Sequence, residues 1–533
     1  MKRLQKWLPF VLGASLLAGL TLPAGRAPGG DAPHILAIAH RLAMELGGGA
    51  LGAFSAHLDS LVTPHPPAGY LLPVGLTALG LGSAVPVATG LAALALCWHG
   101  MVLLRRDEHT ALPLAGGLLL LASGMTWALV DRMAWDLLAA GCVVACLGHL
   151  HASNHLRCTH HAVAAGILAA LGCLTKFTVP VFLLLPAIAS AWAAARHRHW
   201  KGLGLAALAF AVVAGPWLSG HLDGVLAYVG SSADPVHTLS ASPADAWASR
   251  LGWDNLSYTP RVFRDALGWP GLVLVLACVG GLAHPGARMA ALAAAGGVVL
   301  LSFAGERQAR YLFPALPLIC LLVDTGLGTG LGRRARRWGR AALLAIALPM
   351  LWCAGATSWV HTDPPAVRNQ EPQPLGSWAK WPWPAPAFRP TGLGLGRWSV
   401  DAAVDALAEV APPGATVGIA LPRRPGMPKA SAYAWKAALA GHSWTWATVG
   451  RGAGGHPAVF LGPFPSEGTP RRFDFAYLIR GPRGQTTPLD GLPQTQIFSH
   501  RLPQGYTGIV IQVEEGAWDL PAAQRLIKDP MDP

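Results

Sequence analysis

The stretch AWDLLAAGCVVACLGHLHA, residues 134–152, is apolar over most of its length and holds one acidic residue and no Lys or Arg. A helix needs about 20 apolar residues to cross the hydrocarbon core of a bilayer, and this stretch is close to that length. Similar runs recur along the chain, near residues 7–22, 84–104, 112–130, 161–175, 177–195, 202–219, 271–283, 288–304, 311–331 and 341–360. The sequence therefore predicts an α-helical polytopic membrane protein with about eleven transmembrane helices.

Composition and charge agree with this class. The chain is 52% hydrophobic and 13% charged, whereas soluble domains carry about 25% charged residues. A net charge of +13 would suit a nucleic-acid partner, but the placement of the basic residues does not. They fall in short segments between the predicted spans, at Lys2, Arg3, Lys6, Arg105, Arg106, Arg196, Arg198, Lys201, Arg333, Arg334, Arg336, Arg337 and Arg340.

These basic segments share one side of the membrane if the spans alternate, which is the positive-inside pattern of cytoplasmic loops. We therefore interpret them as topology determinants beside anionic lipid, and we predict no nucleic-acid partner. The pattern predicts a multi-pass plasma (inner) membrane protein with a cytoplasmic N-terminus. An odd number of spans then puts the C-terminal region on the periplasmic or extracellular side.

The chain divides into three predicted regions. Residues 1–360 form the transmembrane domain, with outer loops at 23–67 and 220–270. Residues 361–397 are rich in Pro and Trp and resemble a linker at the membrane interface. Residues 398–533 are predicted to be a soluble α/β domain. Its predicted strands cover 415–421, 458–461, 473–479 and 507–513, and its predicted helices cover 399–410 and 430–439.

Two polar features lie in the first predicted outer loop. Asp31 follows a Gly-Gly pair, and a carboxylate at a membrane surface is a candidate general base; alternatively it is a solvated loop residue. His65 precedes two prolines that enforce an extended entry into the run ending at Tyr70. His65 and Tyr70 are therefore candidate binding residues at the interface, or else parts of a rigid turn.

Further ionisable residues lie at the outer ends of later spans. Arg132 and Asp136 stand four residues apart at the start of a span, where an ionisable side chain is costly; they are candidate site residues or a local ion pair. Lys176 lies between two spans on the outer side, against the positive-inside trend. It is a candidate ligand-binding cation, or a lysine that extends its amine to the interface.

Arg307, Arg310 and Tyr311 stand at the mouth of a span near residues 311–331. Arginine is well suited to bidentate phosphate binding, so these residues suit a lipid phosphate; the alternative is an interfacial anchor.

The histidines 149, 151, 155, 160 and 161 lack an ordered ligand spacing and a nearby carboxylate, and we interpret them as a solvated linker. The sequence has no Walker motif and no H-E-x-x-H. It therefore predicts no metal ligands and implies no cofactor, and a divalent metal has no support in it.

In order along the chain, these features resemble the GT-C class of polytopic glycosyltransferases. The resemblance is strongest to the bacterial branch related to protein O-mannosyltransferases and lipid A aminoarabinose transferases (glycosyltransferase family 39-like). The matching pieces are Gly30-Asp31, the Pro-Pro-x-x-Tyr run at 66–70, Arg132 with Asp136, Leu-Thr-Lys at 174–176, and Arg-Tyr-Leu-x-Pro-Ala-Leu-Pro at 310–317. They cover about residues 1–330.

The resemblance implies an inverting transferase that moves a sugar from a polyprenyl-phosphate donor to an acceptor on the non-cytoplasmic face. It implies that Asp31 is the general base and that Lys176 and Arg310 hold the carrier phosphate. The expected partners are that donor, membrane lipid, and an acceptor that is a glycan, a lipid or a protein. This chain departs from the family at two positions. The family often has Asp-Glu where this chain has Asp31-Ala32, and the aminoarabinose branch often has Lys before Pro-Pro where this chain has His65.

The sequence is also compatible with two other functions. One is a transporter or flippase of a lipid-linked glycan, although such transporters usually bind near the bilayer midplane between repeated halves. The other is a catalytically inactive relative that acts in binding or assembly.

Overall fold

The structure is a computed structural model of the whole chain. It describes residues 10–15, 32–55, 66–105, 114–131, 133, 135–233, 258–275, 282–302, 309–329, 341, 400–420, 437, 440, 442, 444–451, 457–461, 475–480, 494–501 and 507–514, with residues 12 and 53 excepted.

Most of the described chain is α-helical. The helices before residue 330 are α1 (Ala32–Gly47), α2 (Ala68–Ala78), α3 (Val85–Leu104), α4 (Leu114–Ala122), α5 (Gly124–Asp131), α6 (Trp135–Ala152), α7 (Thr159–Cys173), α8 (Val179–Arg196), α9 (Trp200–Ala233), α10 (Tyr258–Val275), α11 (Pro285–Ser302) and α12 (Ala315–Thr329). Two 3₁₀ turns, Gly82–Ala84 and Ala309–Leu312, precede α3 and α12.

Within these residues, five helices are long and apolar enough to cross a membrane: α3, α6, α8, α9 and α11. Helices α2, α7 and α12 are apolar but shorter. The polytopic class is therefore confirmed, whereas the predicted number of eleven spans is not. The predicted span 112–130 is divided at Ser123 into α4 and α5. The predicted spans 7–22 and 341–360 lie almost entirely outside the described residues.

Glycines bring α3 and α6 into close contact. A Cβ atom built on Gly148 would lie 2.7 Å from the Gly100 carbonyl oxygen, and one on Gly100 would lie 2.2 Å from the Val144 oxygen. A Cβ on Gly141 would lie 2.8 Å from the Ala93 oxygen. Membrane helices use small residues for such backbone contact because lipid supplies no hydrophobic force between them. The pairs Ala93–Gly141 and Gly100–Gly148 also show that α3 and α6 run parallel.

A buried ion pair joins α3 to α12. Arg105, the residue after α3, places Nη1 2.5 Å from Oδ2 of Asp324, and both side chains are less than 5% exposed. Arg105 therefore does not lie beside lipid headgroups as interpreted from the sequence, whereas its role as a topology determinant stays a prediction. The position directly after a span is typical of an arginine that extends to the lipid headgroups. The carboxylate that pairs with it lies 219 residues later, and no local sequence pattern predicts that contact.

The described residues from 400 onward form α13 (Val400–Ala408) and a six-stranded mixed sheet. Its strands are β1 (Thr416–Ala420), β2 (Thr445–Arg451), β3 (Pro457–Leu461), β4 (Phe475–Arg480), β5 (Gln494–Arg501) and β6 (Thr507–Val513). The spatial order is β3-β2-β1-β4-β6-β5, with β2, β1 and β4 parallel and the other neighbours antiparallel. Helix α13 covers one face, with Val404 and Leu407 buried among Val417, Ile419 and Tyr477.

Four of these strands lie where the sequence predicts strands, and β2 and β5 are missing from the prediction. Strand β5 is an edge strand whose sequence QTQIFSHR is largely polar and mostly exposed, so it lacks the apolar signal of a buried strand. Of the predicted helix at 430–439, the structure describes Ala437 alone.

The Arg105–Asp324 pair makes a stability prediction. We expect Asp324→Ala to lower the free energy of unfolding by about 3–5 kcal/mol, because it leaves a buried guanidinium without its carboxylate. Denaturation of the protein in detergent micelles measures this loss.

The matched control is Arg41→Ala, which breaks an exposed pair with Glu45 on α1 and should cost about 0.5 kcal/mol. The double variant Arg105→Met with Asp324→Leu should recover most of the stability, because an apolar replacement of both partners is often neutral. Equal losses in Asp324→Ala and Arg41→Ala would contradict the structural role of the pair.

Candidate functional site

The candidate site centres on Asp136, the second residue of α6. Its side chain is only 2% exposed, although a charged group within a membrane helix is costly to bury. The first turn of a helix favours an anion, because the unpaired backbone N–H groups and the helix dipole point there. Further compensation must come from cations on other elements.

The first of these cations is Lys176, 40 residues later in the chain. Its Nζ donates a hydrogen bond to Oδ1 of Asp136. Lys176 lies in the turn between α7 and α8, where its backbone N–H donates to the Gly172 carbonyl at 2.9 Å. Its own carbonyl accepts from the Val179 N–H at 3.1 Å. The turn therefore fixes the lysine backbone at the mouth of the helix pair.

The second cation is Arg310, on the 3₁₀ turn Ala309–Leu312. Its Nε lies 3.8 Å from Oδ2 of Asp136. The ring of Tyr311 lies beside both cations, 4.5 Å from Lys176 Nζ and 5.8 Å from Arg310 Cζ, measured to the ring centroid. An aromatic face attracts a cation at this range. One carboxylate, two cations and one aromatic ring thus meet from three separate segments, and we call them the Asp136 cluster.

The Pro-Pro-x-x-Tyr run packs directly beside this cluster. The Ala68 N–H donates to the Leu174 carbonyl at 2.9 Å, which joins the run to the turn that carries Lys176. The Tyr70 ring meets Trp135, the neighbour of Asp136, edge-on at 4.7 Å between centroids. A Cβ on Gly69 would lie 1.8 Å from the Trp135 ring, so only glycine allows this approach.

Helix α1 completes the packing around this run. Its buried face, which includes Ile35, Leu36 and Leu42, belongs to the same apolar cluster as Tyr70 and Trp135. The helix begins one residue after Asp31 in the sequence. Helix α1, which follows Asp31 in the chain, therefore packs against the start of α6.

The structure brings together Asp136, Lys176, Arg310 and Tyr311. Tyr70 contacts Trp135, the residue next to Asp136. The partners seen for Asp136 are Lys176 and Arg310. The local partner predicted from the sequence, Arg132, lies outside the described residues. Asp31, His65 and Arg307 also lie outside them. Their assignments therefore stay predictions.

Two residues of this region are missing from the sequence-based prediction. Trp135 links Tyr70 to Asp136, and its position directly before a buried acid is the only signal for it. Arg264 is 5% exposed on α10, a helix that packs against the 3₁₀ turn carrying Arg310. Its near neighbours Val262, Phe263 and Ala266 are buried and apolar, so a buried arginine stands out among them.

The charges of the Asp136 cluster suit an anionic ligand. Asp136, Lys176 and Arg310 together carry one net positive charge, and both cations keep part of their side chains exposed, 16% and 23%. Lysine and arginine bind phosphate oxygens through charge-assisted hydrogen bonds. The buried carboxylate holds both cations in place without neutralising the pair.

No protein-family model matches the chain, and no curated protein sequence matches it. Solved structures do share its fold. They are crystal structures of ArnT from Cupriavidus metallidurans.

The ArnT structure bound to undecaprenyl phosphate matches with a TM-score of 0.61 and 16% identity, over 96% of this chain and 98% of that one. The apo structure gives a TM-score of 0.59 and 16% identity, over 99% and 100%. The predicted resemblance is thereby confirmed at the level of the fold.

The contact between Gly69 and Trp135 gives a prediction. We expect Gly69→Ala to destabilise the protein by about 1–3 kcal/mol, because the new methyl group overlaps the Trp135 ring and forces it away. Gly75→Ala, on the same helix with nothing within 4 Å of its new Cβ, should instead gain up to about 1 kcal/mol in helix propensity. Thermal unfolding in detergent measures both, and a stable Gly69→Ala protein would contradict the packing.

Proposed function

We propose that the protein is an inverting glycosyltransferase that uses a polyprenyl-phosphate sugar donor and acts on the non-cytoplasmic face of the membrane. The observation that carries this proposal is the Asp136 cluster, which presents two partly exposed cations at the end of an apolar helix bundle. The negative charge of a lipid phosphate complements the two cations, and its apolar chain complements the apolar helix bundle.

In this proposal Lys176 and Arg310 bind the phosphate that joins sugar to lipid. When the sugar leaves, that phosphate gains negative charge, and fixed cations stabilise the developing charge in the transition state. Asp136 acts as a positioning residue, since its two carboxylate oxygens face one cation each. The shared fold with an ArnT crystal structure bound to undecaprenyl phosphate supports this assignment.

A small apolar pocket lies next to the cluster, with an enclosed volume of about 10 Å³, which is room for about one water molecule. It lies between α2, α3, α5 and α6 and is lined by Pro73, Thr89, Gly90, Ala93, Leu129, Val130, Met133, Trp135, Leu137 and Leu138. Trp135 and Leu137 flank Asp136 in sequence, so the pocket starts beside the proposed phosphate site. The pocket is too small to enclose an isoprenoid chain, so we propose that the chain lies along the apolar surface around it, where it gains by leaving water.

Asp31 is proposed as the general base. It would accept a proton from the acceptor hydroxyl or amine while that group attacks the sugar's anomeric carbon and the bond to the phosphate oxygen breaks. Attack from the side opposite the phosphate inverts the configuration. Helix α1, which begins one residue after Asp31, packs on Tyr70 and Trp135, and this packing supports the proposal.

The base assignment is tested with Asp31→Asn. We expect this variant to lose transfer from a radiolabelled polyprenyl-phosphate sugar, because an amide cannot accept the acceptor proton. Inner-membrane insertion and thermal stability should stay unchanged. The control is Asp223→Asn, an exposed acid on α9, which should keep full activity. Full activity of Asp31→Asn would remove Asp31 from the catalytic step.

The phosphate assignment is tested with Arg310→Ala. A charge-assisted hydrogen bond contributes about 1.5–3 kcal/mol, so we expect the KM for the donor to rise about ten- to hundredfold. The KM for the acceptor should change little. Arg41→Ala, an exposed arginine on α1, serves as the matched control.

An unchanged donor KM in Arg310→Ala would place the phosphate elsewhere. Binding of the donor without turnover in wild-type protein would instead favour the inactive relative, and movement of the lipid across vesicles without transfer would favour a flippase.

A further inference from the structure

A second polar cluster lies at the opposite end of α6. Asp136 and His149 are thirteen residues apart on this helix, which separates them by about 20 Å along its axis. Beyond the end of α6 the chain turns through residues 153–158 and enters α7. Cys158, His160 and His161 gather at that entry, and His149 and His99 pack behind them.

The three side chains at the entry are close enough to share one ion. One ligand atom from each of Cys158, His160 and His161 lies within 4.8 Å of the others. The Cys158 sulfur is 3.2 Å from Nδ1 of His160. In a tetrahedral zinc site, sulfur and nitrogen ligands stand about 3.3–3.6 Å apart, given zinc bonds of about 2.3 and 2.0–2.1 Å. Small side-chain rotations therefore suffice to make the three atoms converge.

Behind the entry, histidines form a line of ring contacts. Nδ1 of His161 lies 2.9 Å from Nδ1 of His149, and Nε2 of His149 lies 3.2 Å from Nε2 of His99. A metal-binding histidine typically passes its other ring N–H to a second group, which fixes its tautomer and orientation. His149 is placed to accept that hydrogen bond from His161, and His99 to accept the next one from His149.

The turn that presents Cys158 is held rigidly. Asn154, His155 and Leu156 all have positive φ, between 49° and 62°, a conformation that costs non-glycine residues about 1–2 kcal/mol each. The Ser153 side chain accepts from the Leu156 N–H at 3.0 Å, and the Cys158 N–H donates to the Ser153 carbonyl at 2.9 Å. These bonds maintain the unusual backbone and direct Cys158 toward the histidines.

We propose that Cys158, His160 and His161 bind a single soft divalent cation such as Zn²⁺, with His149 and His99 supporting His161 from behind. A thiolate and two imidazoles are the donor set that zinc prefers, and three protein ligands leave the fourth position to water. His160 is exposed and Cys158 half-buried, so an ion can enter from solvent. The site fastens the α6–α7 turn, and through His149 and His99 it links that turn to α3.

The structure corrects the interpretation of a solvated linker for His149 and His161. His149 lies within α6, His160 and His161 lie within α7, and His149 and His161 are half-buried in ring contact with each other. The sequence shows Cys158-x-His-His without the usual spacing of a zinc motif. The remaining members come from α3 and α6, which local spacing does not reveal.

The test uses full-length protein in detergent, stripped of metal with a chelator and titrated with Co²⁺ as a coloured probe. We expect one equivalent per chain to bind with a thiolate-to-cobalt charge-transfer band, and Zn²⁺ to displace it. Cys158→Ser should abolish the band. His149→Ala should weaken the affinity about ten- to hundredfold, as expected for a supporting group.

Matched controls separate this site from other thiols and histidines. Cys173→Ser changes a cysteine at the far end of α7, and His197→Ala changes an exposed histidine after α8; both should bind Co²⁺ as wild type does. A band that persists in Cys158→Ser, or no stoichiometric binding by wild type, would overturn the proposal and leave only a histidine hydrogen-bond chain.

A second measurement does not depend on any variant folding. Zn²⁺ should slow the alkylation of Cys158 in wild-type protein at least tenfold, as followed by mass spectrometry of the labelled peptide. An unchanged alkylation rate at saturating Zn²⁺ would also overturn the proposal.

Discussion

The contact between Asp136 and its two cations is the constraint on which the candidate site depends. A carboxylate that is 2% exposed at the start of a membrane helix requires nearby positive charge. Lys176 and Arg310 supply it from a turn and a 3₁₀ segment that are distant in sequence. Because each carboxylate oxygen faces one cation, removing Asp136 would release both, so the acid fixes the geometry of any anion site built from them.

Small residues at the helix contacts allow the elements around the Asp136 cluster to pack closely. Glycines 100, 141 and 148 bring α3 and α6 to backbone contact, and Gly69 admits the Trp135 ring beside Tyr70. At the far end of the bundle, Arg105 and Asp324 join α3 to α12 by a second buried pair. Buried ion pairs therefore stabilise each end of the bundle, and contacts between small residues stabilise the helix packing between the two ends.

The sequence predicted the class and much of the Asp136 cluster, because ionisable residues at the ends of apolar runs stand out. The residues alone predicted Lys176 and Arg310 as separate candidates, and the family resemblance assigned both to one phosphate. Their meeting at Asp136 depends on a long-range contact that no local pattern encodes. The same reason hid Asp324 as the partner of Arg105, and His99 and His149 behind Cys158. Strand β5 escaped because an exposed edge strand carries little apolar signal.

The most direct measurement is a cryo-EM map of the protein in nanodiscs that contain a polyprenyl phosphate. We expect phosphate density within hydrogen-bonding distance of Lys176 and Arg310, with the isoprenoid chain beside Trp135 and the Asp31 carboxylate facing the phosphate. Lipid phosphate bound elsewhere, with the Asp136 cluster closed to it, would contradict the account.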